Sequence, residues 1–399
     1  MRSKIRNILA ASAAGALLLT AGVASAQEET KIGIILGFTG PLESITPGMG
    51  GSAELALKEA NDSGLLSTKL VPVRADSTCI DSAAATAAAE RLVTAENVAA
   101  IMGADCSGVT TAILNNVAVP NGVVMISPSA TSPALSEAKD NDFFFRTAPS
   151  DARQGQVLTD VLVGQGVKSV AVTYTNNDYG KGFADAFDAA FKAAGGTITI
   201  SAPHEDGKGD YSAEVAALQA AGGDLLVVLG YVDQGGVGII RAAVESGAFD
   251  KFALGDGMYG QSLIDAIGAD LDGTVGLIPG TEGDGMAKFS EAAKAAGLDP
   301  SSSYTGESYD AAALIALAIQ KAGSTDRTAI RDAVLAVANQ PGEKILAGEL
   351  AKGLQILKDG GDIDYVGATN VELIGPGEAA GSYREYIVKD GKFETVKFH

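Results

Sequence analysis

The chain has 399 residues, 46% of them hydrophobic, and 49 Asp and Glu against 29 Lys and Arg give it a formal charge of −20. So acidic a protein repels nucleic acid and anionic lipid, which excludes both as partners. The length exceeds what one hydrophobic core organises, so two lobes of roughly 150 to 200 residues, with a cleft between them, are expected.

Residues 1–26 read as a removable export signal. Arg2, Lys4 and Arg6 form a basic head, Ile8 to Leu19 an apolar stretch shorter than a membrane span, and Ala24-Ser25-Ala26 a small-residue cleavage site. Cleavage starts the mature chain near Gln27 and deepens the charge to about −23, because three bases and no acids leave. The alternative, a membrane anchor, finds no later apolar run long enough to span, and no Cys stands at the cleavage point to accept a lipid. A soluble, monomeric protein of the periplasm or cell exterior is expected. There, a disulfide between Cys79 and Cys106 is the default; a reactive thiol or metal pair is the alternative, disfavoured because no His lies near either one.

From Lys31 onward strands and helices alternate. Lys31 to Leu36 is a continuous apolar run, and Gly51 to Ala60 carries helix-spaced Ala53, Leu57 and Ala60. Strand Lys69 to Ala75, helix Ser82 to Thr94, strand Val98 to Met102, the stretch Val109 to Val117 and strand Val123 to Ile126 complete a first parallel α/β unit. Thr147-Ala148-Pro149-Ser150-Asp151 then breaks the pattern, with Pro disfavouring a helix before it and Ser or Asp able to cap one after it. A second unit follows: helix Ala152 to Gly164, strand Ser169 to Tyr174, helix Gly182 to Ala194, strand Thr197 to Ser201, helix Ser212 to Ala221, strand Asp224 to Leu229 and helix Gly235 to Ser246. Beyond it come strand Thr274 to Ile278, helices Met286 to Ala296, Tyr309 to Ala322 and Arg327 to Ala338, and a terminal hairpin from Tyr383 to Phe398 turning at Asp390-Gly391.

Catalytic readings find no support. Only His204 and His399 exist, one expected in a solvated loop and one at the C-terminus, so neither a Ser-His-Asp triad nor a zinc site assembles from neighbouring elements. Gly37-Phe38-Thr39-Gly40-Pro41 lacks the dinucleotide-binding spacing, and Pro41 removes an N–H that a pyrophosphate would use. No cofactor, metal or enzymatic activity is called for. What stands out is polar loops after successive strands, Gly103 to Gly108 and Ser127 to Thr131, whose hydroxyls and backbone N–H groups suit a carboxylate; simple N-capping by Ser107 and Thr131 is the competing reading.

Gly40-Pro41-Leu42, Asp76-Ser77-Thr78-Cys79, Cys106-Ser107, the run Ile126 to Pro133, and Asp178-Tyr179-Gly180-Lys181-Gly182 together resemble the periplasmic branched-chain amino-acid binding proteins of ABC importers. The resemblance implies a type I binding-protein fold of two doubly wound α/β lobes joined by three crossovers, 30–147 plus 279–381 and 150–278 plus 383–399. It also implies hinge closure on one small ligand and delivery to an inner-membrane permease. In it, Cys79 and Cys106 form the family disulfide, Ser107 and Thr131 hold the ligand carboxylate, and the backbone of Ser129 and Ala130 meets the amino-acid head. Tyr179 and Tyr231 close over the ligand, Asp256 pairs with its ammonium, and Tyr304 takes an aromatic place. Asp105 departs from the pattern, standing where leucine binders are apolar. It is expected to point to water; a polar partner would instead suggest a polar, cationic or quaternary-ammonium ligand. An amide, betaine or small organic acid as ligand, a sensor module feeding a membrane receptor, and more distantly a secreted enzyme are the alternatives.

Overall fold

The computed structural model describes residues 27–399; the export signal expected at 1–26 lies outside the described residues. Apolar runs separated by amphipathic helices give two seven-stranded sheets. The first begins with β1 (Glu29–Leu36), β2 (Lys69–Asp76), β3 (Ala100–Gly103), β4 (Met125–Ser127) and β5 (Phe144–Arg146). The second begins with β6 (Ser169–Thr175), β7 (Thr197–His204), β8 (Leu225–Leu229), β9 (Phe252–Leu254) and β10 (Val275–Pro279). A parallel pair, β11 (Glu343–Leu346) and β12 (Ile363–Gly367), lies apart; β13 (Leu373–Ile374) and β14 (Glu378–Ala379) rejoin the first sheet, and the hairpin β15 (Tyr383–Lys389) and β16 (Lys392–Phe398) completes the second.

The orders are β13-β14-β5-β4-β3-β1-β2 and β16-β15-β10-β9-β8-β6-β7, so the chain passes between sheets three times, after β5, β10 and β14. Every residue of β3 and of β8 is buried, as parallel strands covered by helices on both faces require. In each sheet the strand order reverses beside the first strand, between β1 and β3 and between β6 and β8. Crevices at the carboxyl ends of such strands are where open α/β sheets bind ligands.

This is the α/β type I binding-protein fold, and the places where it exceeds the sequence reading have physical reasons. β7 runs through Pro203 to His204 because it is an edge strand, where proline's missing N–H removes no ladder bond. The helices Asp178–Ala193 and Thr305–Ala322 begin four residues earlier than their apolar periodicity, placing functional residues in or beside their first turns. The helix Leu350–Lys358 between β11 and β12 was not anticipated, although Leu350, Leu354 and Leu357 recur at helical spacing and are all buried.

Candidate functional site

The loops of the first sheet are tied to one another before any ligand is considered. Cys79 and Cys106 are disulfide-bonded with Cα atoms 5.2 Å apart, joining the loop after β2 to the loop after β3. Asp105, beside that bridge, is only 1% exposed: its carboxylate accepts from Gly37 N at 2.9 Å and from the Ser77 hydroxyl at 3.1 Å. A Cβ on Gly37 would come within 3.0 Å of both Asp105 Oδ2 and Cys79 Cβ, so glycine is what lets the end of β1 close on this carboxylate. Burial pushes the Asp105 pKa up, against the pull of its Gly37 and Ser77 donors. The expectation that Asp105 points to water is therefore corrected. Its hydrogen-bond partners belong to the protein, and its carboxylate braces three loops.

Ser127 organises the next loop. Its hydroxyl donates to Ala104 O at 2.5 Å and accepts from Ala130 N at 2.9 Å and Ser129 N at 3.3 Å. The N–H groups of Ser129 and Ala130, read as free to meet a ligand, are thus occupied, and the Ser129 hydroxyl donates to Asp105 O at 3.1 Å. Arg146, buried beneath the loop, donates to the carbonyls of Ala130 and Ser132, each at 2.9 Å. Neither Ser107 nor Thr131 is an N-cap: Ser107 is the first residue of the helix Ser107–Ile113 and its hydroxyl accepts from Ser132 N at 3.1 Å, while Ser132 caps the 3-10 turn after Thr131. The Thr131 hydroxyl is buried with no hydrogen-bond partner among the described residues.

The second sheet presents tyrosines and an acid. Asn177 caps the helix Asp178–Ala193, its side chain accepting from Gly180 N at 3.0 Å, and this first turn carries Tyr179. A Cβ at position 180 would lie 2.1 Å from Thr175 O, so only glycine allows the turn to sit so close to the end of β6. The Tyr179 hydroxyl donates to Asp256 Oδ1 at 2.7 Å and accepts from Gly257 N at 3.2 Å. Tyr231, after β8, stacks on Tyr179 with ring centroids 5.2 Å apart. Tyr304, just before the helix Thr305–Ala322, holds a left-handed φ of +59° and donates its hydroxyl to Asp256 Oδ2. Burial, then the Asp256 charge, pushes the Tyr179 and Tyr304 pKa values well up; burial raises Asp256 against its two tyrosine donors.

One residue of this cluster has no counterpart in the sequence reading. Asp151 follows the first crossover, and because Ser150 supplies the helix cap, accepting from Ala152 N at 3.3 Å, the Asp151 carboxylate is free. It is fully buried, its N–H donates to Thr131 O at 2.9 Å, and neither carboxylate oxygen has a partner among the described residues. Burial and then the charge of Asp256 push its pKa well up, opposed first by the nearby Thr131 hydroxyl and then by Arg146. The signal in the sequence was the Ser-Asp pair, where one residue suffices as a cap.

His204 lies outside this cluster and is not the solvated loop residue expected. It ends β7 in a buried position, its Nδ1 within 2.9 Å of the Thr173 hydroxyl, and burial holds its pKa down to about 4.

The two halves meet in a closed arrangement. Asp233, on the loop after Tyr231, donates its N–H to Pro41 O at 3.1 Å and accepts from Ser44 N at 2.9 Å, while Ser303 donates its hydroxyl to Tyr259 O at 3.0 Å. Among the described residues no helix is long and apolar enough to cross a membrane.

Residues 29–342 match the family model described as periplasmic binding protein. The chain is 30% identical over 318 residues to the Leu/Ile/Val-binding protein homolog 3 of Brucella melitensis, covering 79% of this chain and 85% of that protein. It is 26% identical over 379 residues to the chemotactic signal transduction system substrate-binding protein BasB of Halobacterium salinarum, covering 93% of this chain and 89% of that protein. In fold it is similar to the branched-chain amino acid transporter substrate binding protein of Streptococcus pneumoniae in complex with isoleucine, at a TM-score of 0.76 and 23% identity, covering 92% and 99% of the two chains. By sequence and by architecture, this chain belongs to the periplasmic binding protein family.

Proposed function

We propose that the protein captures an amino acid between its two lobes, 30–147 plus 279–381 and 150–278 plus 383–399, and presents it to an inner-membrane ABC importer from the periplasm, without chemical conversion. The observation that carries this reading is a pair of buried, unpartnered groups side by side where the two lobes meet, the Thr131 hydroxyl and the Asp151 carboxylate. A ligand offering an acceptor to the first and a cation to the second removes the free-energy cost of burying both.

In this reading the hydroxyls of Ser107 and Thr131 donate to the ligand carboxylate, and its ammonium sits between Asp151 and Asp256. Tyr179, Tyr231 and Tyr304 cover it, and Asp256 is held in place by two tyrosine hydroxyls. Because Asp256 and Tyr179 belong to one lobe and Thr131 and Tyr304 to the other, these contacts coexist only on closure, and the ligand shifts the equilibrium toward the closed state by that difference. Two carboxylates facing the ligand argue against a simple organic anion. Leucine, isoleucine, valine and alanine are the ligands to test first. Asp256→Ala and, separately, Asp151→Asn are expected to weaken binding by about 10-fold or more, the scale of a lost charge-assisted hydrogen bond. Calorimetry giving wild-type affinity in both variants would refute the ammonium site.

A second reading, a sensor that passes closure to a membrane receptor, draws support from the likeness to a chemotactic substrate-binding protein. Co-purification with a permease or with a receptor separates the two.

A further inference from the structure

A cavity of about 600 Å³, lined in part by Tyr304, lies between the second crossover, the start of the helix Thr305–Ala322 and the terminal hairpin. Gly280 to Gly283 line it from the second crossover and Arg384 from the start of β15, just past the third. Glu307, in the first turn of the helix Thr305–Ala322, lines it too, and its carbonyl accepts the Thr147 hydroxyl of the first crossover at 2.8 Å. Two groups in this cavity are unusual. The Glu307 side chain is 5% exposed, yet no side chain, and no backbone group beyond its own N–H, reaches its carboxyl among the described residues. The Arg384 guanidinium lies 5.0 Å from the centre of the Tyr259 ring and makes no ion pair or hydrogen bond among the described residues. An acid and a base thus share one cavity without pairing with each other.

Burying an unpaired carboxyl is costly, and a group able to bridge the two would relieve that cost at Glu307 and give the half-buried Arg384 a partner. We propose that the hinge cavity is a second binding site, for a small zwitterion whose ammonium meets Glu307 and whose carboxylate meets Arg384. Its occupant touches the second crossover and the start of β15, and through the helix turn at Glu307 bears on Thr147 of the first, so it biases the angle between the lobes, which makes it a modulator of closure rather than cargo. Burial, then Asp310, raises the Glu307 pKa to about 8 while Arg384 lowers it; Glu282, Lys294, Asp299 and Tyr304 are the other titratable groups around the cavity. At pH 7 the ligand-free carboxyl therefore holds its proton, and an arriving ammonium expels it. Binding at this site releases close to one proton per chain and tightens as pH rises toward 8.

The experiment is calorimetry of the mature protein with leucine, valine and alanine at pH 7, in two buffers of different ionisation enthalpy. Two binding events are expected, one with a buffer-dependent heat. Glu307→Gln, which mimics the protonated carboxyl and so preserves the fold, should weaken that event at least 10-fold and leave the other. Asp256→Ala should do the reverse. A single wild-type event that disappears in Asp256→Ala but persists in Glu307→Gln overturns the hinge site and keeps the cleft. A single event lost only in Glu307→Gln keeps the hinge and overturns the cleft, and no heat with any of the three overturns both.

Discussion

A carboxylate at the floor of a closed cleft costs free energy unless donors surround it, and Asp105 and Asp151 stand at opposite ends of that scale. Asp105 has its donors built in, from Gly37 and Ser77. Asp105→Asn puts an amide N–H where one acceptor was, so we expect a loss of about 1–3 kcal/mol in urea unfolding. The ranking of ligands should stay unchanged; an altered ranking would restore Asp105 to the specificity pocket. Asp151 has no donors for its side chain, which is why its role emerges only from the assembled crevice. The same limit applied to His204: nothing in its neighbours along the chain indicates burial, which comes from β7 running on through Pro203 and from the helix over it. By contrast the pairing of Cys79 with Cys106 is legible from the expected compartment, and the grouping of Tyr179 with Asp256 from the family resemblance. Their hydrogen bonds, and the occupied N–H groups of Ser129 and Ala130, are not, because they depend on how the loops pack on one another.

At the scale of elements, the loops after β1, β2, β3 and β4 act as one body. The disulfide closes a 27-residue separation and fixes the start of the helix that carries Ser107. Replacing both cysteines by serine should cost about 3–4 kcal/mol of stability in urea unfolding, on a chain-entropy account whose mechanism is contested. It should also loosen Ser107 against Ser132 and weaken amino-acid binding; affinity preserved at full strength would show that the other loop contacts suffice without the bridge. Tyr304 makes a related point, since a tyrosine in the left-handed region is held there at a cost that its hydroxyl's contact with Asp256 helps explain. The helical patterns that made these elements readable were apolar faces at 3.6 spacing. The first turns, where the functional residues Tyr179 and Glu307 sit, are the parts that such periodicity marks least.

At the scale of the whole molecule, stability and pH are linked through buried titratable groups. Glu307 rises to about 8 and Asp310 to about 6 in the folded protein, so the stability they contribute is complete below the ordinary carboxyl range and is lost as pH rises through those values. His204 works oppositely: held neutral down to about 4, it contributes stability above its ordinary value of 6.5 that is lost as pH falls through 4. The melting temperature of the ligand-free protein should therefore fall from pH 5 to pH 8, and Glu307→Gln should flatten the upper part of that slope. An unchanged profile in the variant would mean that Glu307 is ionised in the folded state. Asp233 latches the lobes without touching the ligand site, so Asp233→Ala should open the cleft and weaken binding several-fold, chiefly through faster dissociation. Stopped-flow release at the wild-type rate would show that the latch is passive.

The stacked and hydrogen-bonded tyrosines carry one further consequence. The chain has ten tyrosines and no tryptophan, so its near-ultraviolet emission comes from tyrosine alone. Tyr179 reaches the Asp256 carboxylate from its own lobe and Tyr304 reaches it from the other, and a carboxylate acceptor quenches the phenol it binds. The opening proposed above should therefore raise the emission of Tyr304, so that titration with an amino acid can be followed without a dye, a label or an added chromophore.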